Sequence, residues 1–178
     1  MDVTIIGLDH RVQWKDPTGE LQMLLEGLVR QSRVDLIAEE AYKLPTTVGF
    51  RLACRANLPW VDVDMNDTER LESRINDELK NRPQRPLFDG KKVAVSYLPH
   101  ADAIREAYWV NRLMQHNVSS PLVICDLLHL SPFASKLRNK GCTVKEQNVC
   151  DEDWNKNRFG PRKVVEENGE RWCEFSVE

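Results

Sequence analysis

Two short apolar runs in distant parts of the chain are built alike. Val3-Thr4-Ile5-Ile6-Gly7-Leu8-Asp9-His10 and Leu122-Val123-Ile124-Cys125-Asp126-Leu127-Leu128-His129 each begin as a hydrophobic stretch and finish on a histidine. Such a run reads as a buried strand whose last, polar residues reach the rim of a sheet. Two strands of this kind in one sheet bring imidazoles from opposite halves of the chain to one place.

The segments around them follow a repeating plan. Glu20 to Arg33 sets Leu21, Leu24, Leu25, Leu28 and Val29 at helical spacing, after the loop signal Asp16-Pro17-Thr18-Gly19. Val34 to Glu40 is a second strand, again ending on charge. Thr46-Thr47 caps a helix running towards Ala56, and Trp60 to Asp64 is a third strand. Strand, helix, strand, helix, strand argues for parallel pairing with right-handed crossovers. A charged helix over 69–80 follows, then a loop over 81–92 with Pro83, Pro86 and Gly90. Val93 to Leu98 fits either a short strand or an irregular lead into a helix over 99–117. Past the strand that ends at Cys125, Pro132 and Gly141 bound a short helix, and a last strand spans 142–146.

The expected fold class is therefore α/β, with a mainly parallel sheet of about five strands and helices on both faces. It occupies residues 1–148. Residues 149–178 form a C-terminal extension on the same body, where Asn168-Gly169 between two alternating runs signals a small β-hairpin.

Composition narrows the function classes. Charged residues make up 30% of the 178 and hydrophobic ones 41%, an ordinary globular balance, and the net charge of -3 offers nothing to nucleic acid. No basic leader precedes an apolar segment, and no window approaches the ~20 apolar residues of a membrane span. Five scattered cysteines without a C-x-x-C pair favour reduced thiols, so the expectation is a cytoplasmic protein with neither membrane nor nucleic-acid partner. The signatures G-x-G-x-x-G, G-x-x-x-x-G-K-[ST], H-E-x-x-H and G-x-S-x-G are all missing, which removes the usual nicotinamide, P-loop, zincin and serine-hydrolase assignments.

In an open parallel sheet, ligands bind outside the carboxyl ends of the strands. The polar residues expected there are His10, Glu39 and Glu40, Asp62 and Asp64, and His129. Imidazoles and carboxylates on one rim suit either a divalent ion or a general acid/base set. Of Glu39 and Glu40 only one can face the site, because side chains alternate along a strand. Arg105, on the helix with Glu106 and Trp109, either binds an anionic or carbonyl group or pairs with the Glu39-Glu40 strand end. Trp14 and Trp109 either line a pocket or pack.

These motifs resemble the TraB/Tiki superfamily, which includes erythromycin esterase-like and ChaN-like proteins. Gly7-Leu8-Asp9-His10 matches the first of the family's paired G-x-x-H motifs, Ala38-Glu39-Glu40 the glutamate after the second strand, and Arg105 with its neighbours the arginine helix. The second motif departs from the pattern, with Asp126 where the family has glycine before His129. The resemblance covers roughly residues 3–146. It implies a metal-dependent hydrolase of the peptidase or esterase type acting on a small-molecule or peptide substrate. His10, Glu40 and His129 would hold manganese, zinc or cobalt. His10, Glu39 or Glu40, Arg105 and His129 would form the catalytic set, with Arg105 stabilising negative charge on the substrate. Two other functions stay open: a non-catalytic binding protein that keeps the fold, and a nucleotide- or phosphate-binding protein. A homo-oligomer is equally open.

Overall fold

The computed structural model describes every residue except 15, 17, 42–45, 83, 87–91, 161 and 177–178, and gives only the backbone of 84–86, 92–94, 158–159 and 175–176. The expected loop positions Pro17, Pro83 and Gly90 and the tail residue Val177 lie outside the described residues. Among those described, no helix is long and apolar enough to cross a membrane.

Five strands form a parallel sheet: β1 (Asp2–Leu8), β2 (Leu36–Glu39), β3 (Trp60–Asp62), β6 (Pro121–Asp126) and β7 (Thr143–Asn148), in the order β3-β2-β6-β1-β7. The two runs that end on histidine are thus direct neighbours, with Gly7 opposite Cys125 and Leu8 opposite Asp126. The connection from β1 to β2 runs over one face of the sheet and that from β6 to β7 over the other, so neighbouring strands send the chain to opposite faces. That divergence opens a crevice at the carboxyl ends of β1 and β6, the place where such sheets bind ligands.

Helices cover both faces because the strands are apolar on both. Val3, Ile5, Ala38, Val123 and Cys125 point to one side, where they meet Trp109, Val110 and Leu113 of α6 (Ala101–Met114) and Phe133, Ala134 and Leu137 of α7 (Leu130–Asn139). Ile6, Leu8, Ile37, Leu122 and Ile124 point to the other. There they meet Leu21, Leu25 and Leu28 of α2 (Glu20–Ser32) and Val48, Leu52 and Ala53 of α3 (Val48–Ala56). Thr47 caps α3 as its position foretold, accepting from the Phe50 backbone N–H at 3.0 Å.

The charged helix expected over 69–80 is two: α4 (Asp67–Glu72), opened by a capping box between Asn66 and Glu69, and α5 (Asn76–Lys80). Arg74, at φ 58° in the left-handed region, breaks the helix between them. The 93–98 run is a strand, but not of the parallel sheet. It lies in β5 (Lys92–Ser96), within an antiparallel sheet ordered β4-β5-β9-β8, together with β4 (Gln84–Pro86), β8 (Lys163–Glu167) and β9 (Glu170–Ser176). The C-terminal hairpin β8–β9 turns at Asn168 (φ 52°) and Gly169 (φ 78°), the two positive φ angles that an Asn-Gly turn supplies. Before it, α8 (Asp153–Phe159) sets Trp154 against the α2–α3 side of the body.

Candidate functional site

A cavity of about 610 Å³ opens at the carboxyl ends of β1, β2 and β6, between the parallel sheet and the smaller one. His10, Glu40, Arg105 and His129 all line it. Residues separated by more than a hundred positions in the chain therefore meet at one rim. Glu39 does not join them.

The two glutamates part company through strand alternation. Glu39 turns to the α3 side and is fully buried. Its carboxylate accepts from the Trp60 indole N–H at 2.6 Å, from the Gln13 amide at 3.1 Å and from the Thr47 hydroxyl. Gly49 makes room for it, since a Cβ there would sit 2.5 Å from the carboxyl carbon. Burial, only partly offset by these hydrogen bonds, raises the Glu39 pKa. Glu40 turns to the other side. Its Oε1 lies 2.6 Å from Arg105 and its Oε2 accepts the Asp126 backbone N–H at 2.9 Å. Burial alone would raise the Glu40 pKa, but the surrounding positive charge, with Arg105 and His10 in it, holds it well below the usual carboxylate range.

Arg105 is the hub of the site. A guanidinium has five N–H donors, and here each has a partner. Nε reaches Asp64 Oδ1 at 3.2 Å, and Nη1 reaches Asp102 Oδ1 at 3.3 Å and His129 Nε2 at 3.2 Å. Nη2 reaches Glu40 Oε1 at 2.6 Å and Asp64 Oδ2 at 3.0 Å. The Trp109 ring packs 4.9 Å from its central carbon, and the Trp109 N–H donates to Asp64 at 3.0 Å. Despite burial, Asp64, Glu40 and Asp102 raise its pKa well above the ordinary arginine value. With each of its donors engaged by a protein group, Arg105 holds Glu40, Asp64, Asp102 and His129 in place.

His129 is fixed from both nitrogens. Nε2 faces Arg105, which only donates, so Nε2 accepts; Nδ1–H then donates to Glu106 Oε1 at 2.9 Å. Glu106 is fully buried, and its second oxygen takes Lys136 at 2.7 Å and the Tyr97 hydroxyl at 3.0 Å. Asp64 was expected at this rim, whereas Glu106 and Asp102 gave no site signal in the chain because they sit within α6 with no motif around them.

His10 is different. It begins the one-turn helix α1 (His10–Trp14), its Nδ1 bonds the Gln13 side chain at 2.9 Å, and its ring is 37% exposed to the cavity. Its Nε2 faces Glu40 at 3.6 Å and Asp126 Oδ2 at 3.8 Å, too far for direct hydrogen bonds but close enough for strong electrostatics. Against the burial that lowers it, Glu40 and Asp126 raise its pKa to about 10, so it carries a proton at neutral pH.

Asp126, the departure from the G-x-x-H pattern, has several tasks. Oδ1 caps the turn at Leu128 at 2.9 Å, while Oδ2 faces His10 and lies 3.3 Å from Arg162 Nη2. Arg162 comes from the C-terminal extension and also pairs with Asp9 at 2.9 Å.

This arrangement of His10, Glu40 and His129 does not fit a divalent ion. The cation among the carboxylates is Arg105, which engages both Glu40 Oε1 and the Nε2 lone pair of His129. Among the described residues, no group of three or more His, Cys, Asp or Glu side chains is placed to hold a metal. The fold and site together define an α/β protein with a cavity ringed by ion pairs at the switch point of a parallel sheet. No family model, curated protein or solved structure matches the chain.

Proposed function

We propose that this cavity is the active site of a hydrolase acting on peptide or ester bonds, built on the TraB/Tiki-like pattern, with His10 and Asp126 moving the protons. The observation that carries it is the open pair His10 Nε2 and Asp126 Oδ2, 3.8 Å apart on the cavity wall with no direct bond between them. A charged imidazole beside an ionised carboxylate is an acid and a base already in their working states.

The reaction balances with these two groups and water. Asp126 takes a proton from water as the water oxygen bonds to the acyl carbon. The bond to the leaving oxygen or nitrogen breaks as His10 Nε2–H gives its proton to that atom. Asp126 then returns a proton to His10, and a carboxylic acid and an alcohol or amine depart. Glu40 stays ionised and keeps His10 charged, while Arg105 and the Asp126 backbone N–H hold Glu40 in place. No step runs through a metal.

Turnover of 4-nitrophenyl esters and short fluorogenic peptides tests this. Wild-type protein is expected to hydrolyse members of the panel in the presence of a chelator, and His10→Gln to lose about a hundredfold or more. Equal rates for the two proteins across the panel, or activity only after manganese, zinc or cobalt is added, overturn it.

A further inference from the structure

The cavity has a chemical polarity of its own. Besides Arg105, its wall carries Arg70, Arg82 and Arg162, each paired to a carboxylate: Arg70 to Asp64 at 2.6 Å, Arg82 to Asp102, and Arg162 to Asp126. The depth of the partners decides what a ligand meets. Asp64 and Asp102 are essentially sealed, with side chains 1% and 0% exposed, whereas Arg82 retains 17% and the charged His10 ring 37%. At these two pairs the cation stands in front of the acid that holds it, while Arg162 and Asp126 are about equally exposed, at 10% and 12%. Behind the wall, the low dielectric strengthens the field the cations project into the cavity.

An aromatic stands at the same mouth. Trp14 lies four residues after His10 on α1, so one turn of helix puts the two on the same face. It lines the cavity and is 49% exposed, so its indole offers an apolar face to a ligand there. Leu79, Val95 and Leu128 supply further apolar wall.

We infer that the cavity takes a small organic oxyanion with an aromatic or alkyl group: the anion lies against Arg82, within the field of the charged His10, and the apolar part on Trp14. This assignment rests on the cavity being the hydrolase's substrate site and names the substrate class. The arginines keep their carboxylate partners and contribute field and edge contacts to the ligand.

Binding of probes that cannot be hydrolysed separates this from turnover. Calorimetry with 3-phenylpropanoate, phenylphosphonate and the uncharged 3-phenylpropan-1-ol distinguishes a carboxylate from a phosphorus oxyanion and both from plain apolar binding. At least one anion is expected to bind about tenfold or more tighter than the alcohol, a gap of one charge-assisted contact. The preference is expected to shrink in salt and in Arg82→Gln, and Trp14→Leu, at a half-exposed position, to weaken anion and alcohol alike. An alcohol bound as tightly as both anions, or affinities unmoved by Trp14→Leu, overturns the inference. Anion binding that persists in a protein without hydrolytic activity overturns the hydrolase assignment alone.

Discussion

His129 Nε2 and Arg105 Nη1 face each other at 3.2 Å, and only one proton arrangement satisfies both. The guanidinium donates, the imidazole accepts, and the ring proton is forced onto Nδ1, where Glu106 waits at 2.9 Å. An interaction that would look repulsive between two cations is a hydrogen bond because a buried carboxylate selects the tautomer.

The first prediction concerns this hub. Arg105→Met keeps the apolar stem but leaves Glu40, Asp64 and Asp102 facing one another without their shared cation. Breaking a buried ion pair by removing one partner costs roughly 3–5 kcal/mol, and here three carboxylates lose the same partner. Urea unfolding is expected to show a loss of that size. A change below about 1 kcal/mol, the scale of an exposed ion pair, contradicts the role given to Arg105. In the wild type, nitrogen-15 spectra are expected to show His129 as the Nδ1–H tautomer.

The second prediction is the pH response of His10. Its pKa is about 10 in the folded protein against an ordinary 6.5, a raised value. A raised pKa contributes stability that is fully present below about 6.5 and disappears as pH rises through about 10. The stability difference between wild type and His10→Gln is therefore expected to shrink steadily across that window. The same proton serves the leaving group, so hydrolysis is expected to fall as pH approaches 10. A ring titrating near 6.5 by NMR contradicts both.

Much of this arrangement could be read from the residue order, and the rest could not for definable reasons. Four of the five parallel strands were legible as short apolar runs, the mostly polar β7 by its place after the helix that Gly141 closes, and the Asn168-Gly169 hairpin by its turn chemistry. His10, Glu40, Arg105 and His129 stood out because they end strands or sit on a marked helix, and the fold brings them to one cavity. The choice between Glu39 and Glu40 was invisible, since it depends on which face carries α3 and which α6. The partner of the 93–98 run was equally hidden: β5 pairs with β9, whose Ser176 lies opposite Lys92 across more than eighty residues of chain. Asp126 looked like a defect in a motif until Arg162, from the far end of the chain, was seen beside it.

A third prediction separates the buried glutamate from the cavity. Gly49→Ala places a methyl group 2.5 Å from the Glu39 carboxyl carbon, and a fully buried carboxylate held by Trp60 and Gln13 has little room to retreat. Overpacking of this kind costs about 1–3 kcal/mol. Thermal or chemical unfolding is expected to register it, while the His10 titration moves little, because Glu40 and Asp126 set its charge and Glu39 reaches it only through Gln13. A shifted His10 pKa with unchanged stability contradicts that division.

The last prediction turns on Asp126. Asp126→Gly restores the glycine of the G-x-x-H pattern, so if that pattern alone made the site, the variant would gain activity or keep it. The geometry argues the reverse. The substitution removes the carboxylate 3.8 Å from His10 Nε2, the cap on Leu128 and the partner of Arg162. It therefore removes the proposed base and one of the two charges that raise the His10 pKa. Hydrolysis is expected to fall about a hundredfold or more, the scale of a lost general base, with the His10 titration moving down. Asp126→Asn keeps the shape and an acceptor for the Leu128 N–H, so it separates charge from folding. It is expected to lower the His10 pKa and the rate as the glycine variant does, with a smaller loss of stability. An active Asp126→Gly protein with His10 still titrating near 10 would show that the carboxylate has no part in the chemistry.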